Sequence, residues 1–377
     1  MLRIDGVAKT YDWGSREAIP ALLGREPDGR PIAEVWYGAH PTAPSPVPAA
    51  GETLDRVLAE RAGDYFPGGA SELAYLLKLL APGQPVSLQV HPSTALSAAG
   101  FADENSAGVP LDAPHRTFKD PHAKPEMVFA VTPFRGMVGF RPLEEAVALL
   151  AGLESSPAPA VLERLRSGDQ GAFRSAFEAL VLANDDPGAL IEEVMARGDE
   201  LAATVGELAG HHPGDAGALA PLLLSVWTLE PGEALFVPAG VPHAYLSGIA
   251  VELMANSDNV VRAGLTRKHV DRPALLAATD FDRSVAVERP LVDGPVRTIA
   301  PEGSPLRLVS ATLEGATALL PITSDGPAIV LGVSGRVQVA TPAEAQELAP
   351  GDAVVIAPAE GAVAVSGTGQ VVAAFAV

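Results

Sequence analysis

Two imidazoles, a carboxylate and an amide stand out as residues whose types and spacing could do chemistry. In PVSLQVHP, at 85–92, Ser87, Gln89 and His91 alternate with Val86, Leu88 and Val90. Period-two alternation puts the hydroxyl, amide and imidazole on one face of a strand and the aliphatic side chains on the other. On a surface sheet this would be a solvated face. Opposite so apolar a face, it is a candidate site. In KPEMVFAV, at 124–131, Glu126 stands at the mouth of an apolar strand, either as an exposed edge or as a ligand. In LEPGEALFVPAGVPHAYL, at 229–246, Pro231-Gly232 signals a tight turn and 234–237 reads as a short strand. Pro238 and Gly240 break that strand just before His243. Gln89, His91, Glu126 and His243 form a nitrogen and oxygen donor set suited to Zn²⁺, with room for water or substrate. Fe²⁺ or Mn²⁺ take such ligands too. There is no cysteine, so thiolate ligands and disulfides are excluded.

The elements that must carry these residues are mostly strands. From Gly232-Glu233 the chain runs four residues to Pro238, one to Gly240 and two to His243. This spacing resembles the second metal motif of cupins, jelly-roll β-barrels in which the turn delivers an imidazole from a strand end into the barrel mouth. Residues 1–50 read as short strands and turns, with His40 in a structural role. Apolar spacing of helical type predicts helices over 53–61 and 72–80, with Lys78 near the end of the second. Residues 92–117 read as a long polar loop. From 143 to about 220 the apolar positions take helical spacing with Gly and Pro breaks between, which predicts four to six helices. His211 and His212 read as a solvated tail of that region. After a short helical piece at 272–279 the chain returns to strands, including 328–339 and 353–357, with a turn at 349–352. The last histidine is His269, so the C-terminal part offers no imidazole. The expected fold is mainly β with a helical insert: a catalytic cupin-like barrel from 1–142 and 221–309, a small all-α domain at 143–220, and a second cupin-like barrel without metal at 310–377.

The chain has 377 residues, 47% of them hydrophobic and 19% charged, the profile of a globular protein. Its 26 Lys and Arg against 46 Asp and Glu give a net charge of −20. That balance argues against nucleic acid or an anionic membrane as partner. An anionic substrate would need a local cationic pocket. No stretch has the length of a membrane span or the apolar run of a signal peptide, so the expected location is the cytoplasm. The expected state is a monomer.

Several blocks extend the pattern over nearly the whole chain: YDWGS, AEVWYGAHPTAPS, LLKLL, SLQVHP, FKDPHAKPEM, PAGVPHAYL and VELMANSDNVVRAGLTRKHVD. Together they resemble type I phosphomannose isomerases. The resemblance implies one Zn²⁺ per chain on Gln89, His91, Glu126 and His243. It places Arg262 in the substrate cleft, with Lys78, Ser87, Lys124, Tyr245, Glu252, Asp258 and Lys268 around the pocket. It implies interconversion of D-mannose 6-phosphate and D-fructose 6-phosphate, feeding mannose and GDP-mannose metabolism. Two departures stand out. The family usually has Asn-His-Lys-Pro-Glu where this chain has His122-Ala123-Lys124-Pro125-Glu126, so the imidazole beside Lys124 is missing. Its Leu-Thr-Pro-Lys is here Leu265-Thr266-Arg267-Lys268.

Aldose–ketose isomerisation moves a proton between C2 and C1 through an enediol. It needs a base near both carbons and an electrophile on O1 and O2. A metal serves as the electrophile, and Arg262 adds fixed charge. The base is Lys124, which would have to be free of its proton, or Glu252. His122 turning inward is a third alternative, less favoured than Lys124 working without a partner. Lys78, Arg262 and Lys268, with the Ser87 hydroxyl, are the phosphate candidates. Two rivals differ in class: another cupin enzyme, such as a metal oxygenase or an isomerase of a different sugar, and a non-catalytic sugar-binding protein on the same fold. Oxygen consumption separates the first, and an intact metal site without turnover marks the second.

Overall fold

A computed structural model describes residues 1–169, 171–183 and 185–377. Its central sheet has seven strands in the order Val287–Glu288, Ala234–Val237, Glu126–Ala130, Ala250–Ala255, Tyr75–Leu80, Glu34–Gly38 and Val7–Lys9. Neighbouring strands are antiparallel throughout. Successive side chains point to opposite faces. Tyr37, Leu77, Phe129 and Leu253 share an apolar cluster with Leu308, Ile329, Val355 and Val372 of the C-terminal strands. The intervening positions Glu34, Lys78, Glu126 and Glu252 therefore point the other way. On that side lies a five-stranded sheet in the order Leu224–Leu229, Phe134–Phe140, His243–Ser247, Leu88–Val90 and Val261–Gly264. Val128, Leu235 and Ala250 meet Phe134, Val138 and Tyr245 between the two sheets.

The back of the five-stranded sheet, with Leu88, Met137, Ala244 and Val261, packs into one cluster with the helices. Among the described residues these are Leu143–Leu150, Ala158–Ser167, Ala172–Leu180, Gly188–Met195 and Glu200–His211. In the last of them Leu201, Val205 and Leu208 fall on one buried stripe, and the Asp199 carboxylate caps the first turn by accepting from the Ala202 N–H.

The C-terminal sheet is built on three long strands, Leu306–Leu320, Ala328–Ala340 and Val363–Ala376. Val309, Val330, Val354 and Ala373 pack on one another on the face away from the central sheet. This sheet recruits Leu2–Ile4 against Ala353–Ile356, and Val296–Ile299 and Leu291–Asp293 at its other edge. The expected division at 309/310 thus falls inside a strand.

Two local expectations are corrected. The stretch 72–80 contains the strand Tyr75–Leu80, not a helix, and all six of its residues are buried. A strand covered on both faces loses its polar alternation and resembles a buried helix segment. The stretch 92–117 is not all loop: Thr94–Ser106 is a helix whose Ser93 side chain accepts from the Leu96 N–H. Ser97 is its one buried residue, so there is no apolar stripe to betray it.

Candidate metal centre

Register brings the donor residues together. His243 is paired with Gln89, and Arg262 with Gln89 on the other side of the same strand. The turn before His243 depends on Gly240, at φ 91°, where an added Cβ would lie 2.9 Å from that of Asp280. The Gly240 N–H donates to the His91 carbonyl at 2.9 Å, tying this turn to the QxH strand. Glu126 enters from the opposite sheet.

Each imidazole is oriented by a backbone carbonyl. His91 Nδ1–H donates to Asn259 O at 2.7 Å and His243 Nδ1–H to Val241 O at 2.9 Å. In the neutral ring this leaves Nε2 as a bare lone pair. His91 Nε2 lies 3.1 Å from Glu126 Oε2, and His243 Nε2 lies 3.1 Å from Glu126 Oε1. The Gln89 amide ends 3.2 Å from His243 Nε2, and an amide exposes oxygen or nitrogen by a half-turn about its last bond. One donor atom from each of His91, Glu126 and His243 falls within 4.8 Å of the others, all buried. His91 Nε2 and Glu126 Oε2 have no hydrogen-bond partner. Buried acceptors facing one another are costly, and a cation among them removes the cost. The donor set fits a metal ion on that ground. Burial, helped by Lys124, pushes the His91 imidazole down to about 4, so it stays neutral. Burial pushes the Glu126 carboxyl up, but His91, Lys124 and His243 outweigh it and hold it well below its ordinary range.

Behind this cluster sits a buried charge triad. Lys78 Nζ is 2.7 Å from Glu252 Oε2 and 3.3 Å from Glu34 Oε1. Strand register sets Lys78 directly opposite both Glu252 and Trp36. Trp36 Nε1–H donates to Glu34 Oε2 at 2.8 Å. Burial opposes the Lys78 charge, but Glu252 and Glu34 outweigh it and raise the ammonium above its ordinary value. Burial lifts Glu252 above the usual carboxylate range despite Lys78, and Glu126 adds to the lift. Lys78, expected as a phosphate contact, lies here as the partner of Glu252, and a phosphate dianion at its ammonium would meet both carboxylates. Tyr245, expected at the pocket, lies against the donor cluster. It is 3% exposed, and its hydroxyl donates to Glu126 Oε1 at 2.6 Å.

The other expected residues lie as follows. Lys124 is buried, its Nζ 3.6 Å from Glu126 Oε2. Arg262 is half-buried with no ion pair or hydrogen bond among the described residues, and burial lowers its guanidinium. Lys268 is exposed and lowered by partial burial and then by Arg262. Ser87 is half-buried. Asp258 stands 3.4 Å from His40 Nε2. Burial raises its carboxyl, but His40, Lys124 and Lys78 together lower it. The His122 side chain is exposed, while its carbonyl accepts from the Asn259 amide at 2.8 Å, so the inward imidazole is not formed. Sequence reasoning missed Glu34, His40 and Asn259. Asn259 orients His91 by its carbonyl, and its side chain grips Asp120. The one signal was position: all three lie inside the blocks quoted above.

The family model described as phosphomannose isomerase type I, catalytic domain, matches residues 1–143. The mannose-6-phosphate isomerase of Escherichia coli (strain K12) is 39% identical over 310 residues, 79% of this chain and 78% of that protein. The Homo sapiens mannose-6-phosphate isomerase is 31% identical over 380 residues, 88% of this chain and 87% of its own. A crystal structure of a mutant phosphomannose isomerase from Salmonella typhimurium superposes with a TM-score of 0.92 at 33% identity, covering 100% of this chain and 99% of that one. A zinc-bound holo mannose 6-phosphate isomerase does so with a TM-score of 0.89 at 32% identity over the same shares.

Proposed function

Because the chain belongs to the mannose-6-phosphate isomerase family, we propose that its cleft interconverts D-mannose 6-phosphate and D-fructose 6-phosphate by proton transfer between C2 and C1 through an enediol. The observation that carries this reading is the convergence of His91, Glu126 and His243 on one buried point with Gln89 beside them. These four residues would hold one Zn²⁺. When bound, the ion supplies positive charge to the sugar oxygens as negative charge develops.

The rest falls to side chains. Glu252 is the base: a buried carboxylate that burial lifts above the ordinary carboxylate range and that Lys78 holds in place. Lys124 and Arg262 add fixed positive charge on the cleft side. Arg262 has no counterion among the described residues and binds the phosphate with Lys268, Ser87 donating its hydroxyl. Asp258 accepts from a sugar hydroxyl. On this reading the protein works as a monomer serving mannose metabolism.

On the same reading the seven- and five-stranded sheets form a cupin-like barrel from 1–142 and 221–309. Residues 143–220 form the helical domain. The C-terminal cupin-like barrel covers 310–377, extended by the strands Leu2–Ile4, Leu291–Asp293 and Val296–Ile299. A coupled assay of mannose 6-phosphate turnover, with and without a chelator, tests the function. Turnover that survives complete metal removal would sink the zinc role, and no turnover with zinc present would sink the activity.

A further inference from the structure

His40 follows the strand Glu34–Gly38 and is 3% exposed. Its ring meets Trp36 edge-on, with centroids 4.9 Å apart. The Thr42 backbone N–H points at His40 Nδ1 from 3.3 Å, and the Thr42 hydroxyl lies 2.9 Å from the same atom. A backbone N–H only donates, so in the neutral ring Nδ1 is the lone pair and Nε2 carries the proton. That Nε2 faces Asp258 Oδ1 at 3.4 Å, while the Asp258 side chain stays 43% exposed at the cleft. The backbone of Asp258 is pinned separately, its N–H donating to Asp120 Oδ2 at 2.8 Å. Backbone and carboxylate are thus held by different partners. His40 itself takes no part in the His91, Glu126 and His243 cluster.

We propose that His40 is a positioning residue for the isomerisation: Thr42 sets its tautomer, and its Nε2–H holds the Asp258 carboxylate where a sugar hydroxyl can donate to it. The proposal rests on the reading of Asp258 as a substrate contact. The His122-Ala123 departure leaves no imidazole beside Lys124, and His40 is a buried imidazole just past a strand of the same sheet that carries Glu126. Its role is to orient Asp258, not to exchange a proton with substrate.

The tautomer is tested first, by nitrogen NMR of histidine-labelled wild-type protein, with His40 assigned by its loss in His40→Gln. A protonated Nε2 and a bare Nδ1 are expected, and a protonated Nδ1 overturns the proposal. This spectrum needs only wild-type protein to decide it, whatever the folding of a harsher variant. Kinetics with mannose 6-phosphate come second. His40→Leu should lose roughly tenfold in kcat/KM, the scale of one hydrogen bond to a charged group, more in KM than in kcat. His40→Gln keeps an N–H of similar reach and should recover most of that. In an Asp258→Ala background, His40→Leu should cost nothing further. Equal losses for Leu and Gln, or an undiminished loss in the Asp258→Ala background, overturn the proposal. Loss in Asp258→Ala without loss in His40→Leu overturns this proposal alone. A silent Asp258→Ala overturns the Asp258 reading together with it.

Discussion

Replacing Glu126 by Gln should separate metal binding from folding. The Glu126 carboxylate is 1% exposed and accepts from Tyr245 at 2.6 Å. It faces the lone pairs of His91 and His243 at 3.1 Å each, and Lys124 Nζ at 3.6 Å. In metal-free protein an amide keeps an oxygen for Tyr245 and donates N–H to one imidazole. That contact is worth about 1 kcal/mol and offsets the lost attraction to Lys124. The two metal-free proteins should therefore melt within ~2 °C of each other, since about 2.1 cal/mol/K per residue over 377 residues makes ~1.6 kcal/mol a shift of that size. Zinc at a hundred times its Kd adds about 2.7 kcal/mol to a protein that binds it only when folded. On the same scale, wild type should gain about 3 °C and Glu126→Gln almost nothing. Thermal melts with zinc and with chelator measure both. An equal zinc shift in the variant would remove Glu126 from the ligand set. A metal-free variant melting more than ~5 °C lower would refute the argument from opposed lone pairs, because the carboxylate would then be satisfied by protein alone.

Arg262→Ala should lower kcat/KM by roughly 10²–10³ without lowering the melting temperature, since the guanidinium has no partner among the described residues. An unchanged kcat/KM in folded protein would remove it from the cleft chemistry. Lys78→Met leaves Glu34 and Glu252 facing each other in a buried site and should cost about 3–5 kcal/mol in denaturant melts. Adding Glu252→Gln should recover part of that, and simple additivity of the two changes would disprove the triad. His122→Ala should keep most activity, because its ring is exposed, whereas Lys124→Ala, which removes a fixed positive charge 3.6 Å from Glu126, should lose about 10²-fold or more. Abolished turnover in His122→Ala with zinc still bound would reverse that assignment.

Some of this was legible without coordinates. The period-two run at 85–92 forecast a strand, and Leu88–Val90 forms one, with Gln89 on it and His91 just past its end. The Pro and Gly breaks forecast that His243 opens a strand after a turn, and it does, at the head of His243–Ser247. Helical spacing after 143 forecast the helices, because an amphipathic stripe is written in the local sequence. The strand at Tyr75–Leu80 was not legible, because burial on both faces erases the alternation that reading depends on.

Tertiary structure alone decided what the charged residues do. Lys78 is an ordinary cation in sequence, and it becomes the partner of Glu252 only because their strands are neighbours in register. Tyr245 turns to Glu126 across the gap between two sheets, and His40 reaches Asp258 from far along the chain. Local sequence encodes which face of its own strand a side chain takes, since that follows from backbone geometry. It does not encode which strands lie side by side or which sheet lies opposite. Those depend on how distant apolar faces pack, and that packing chooses every partner in the cleft.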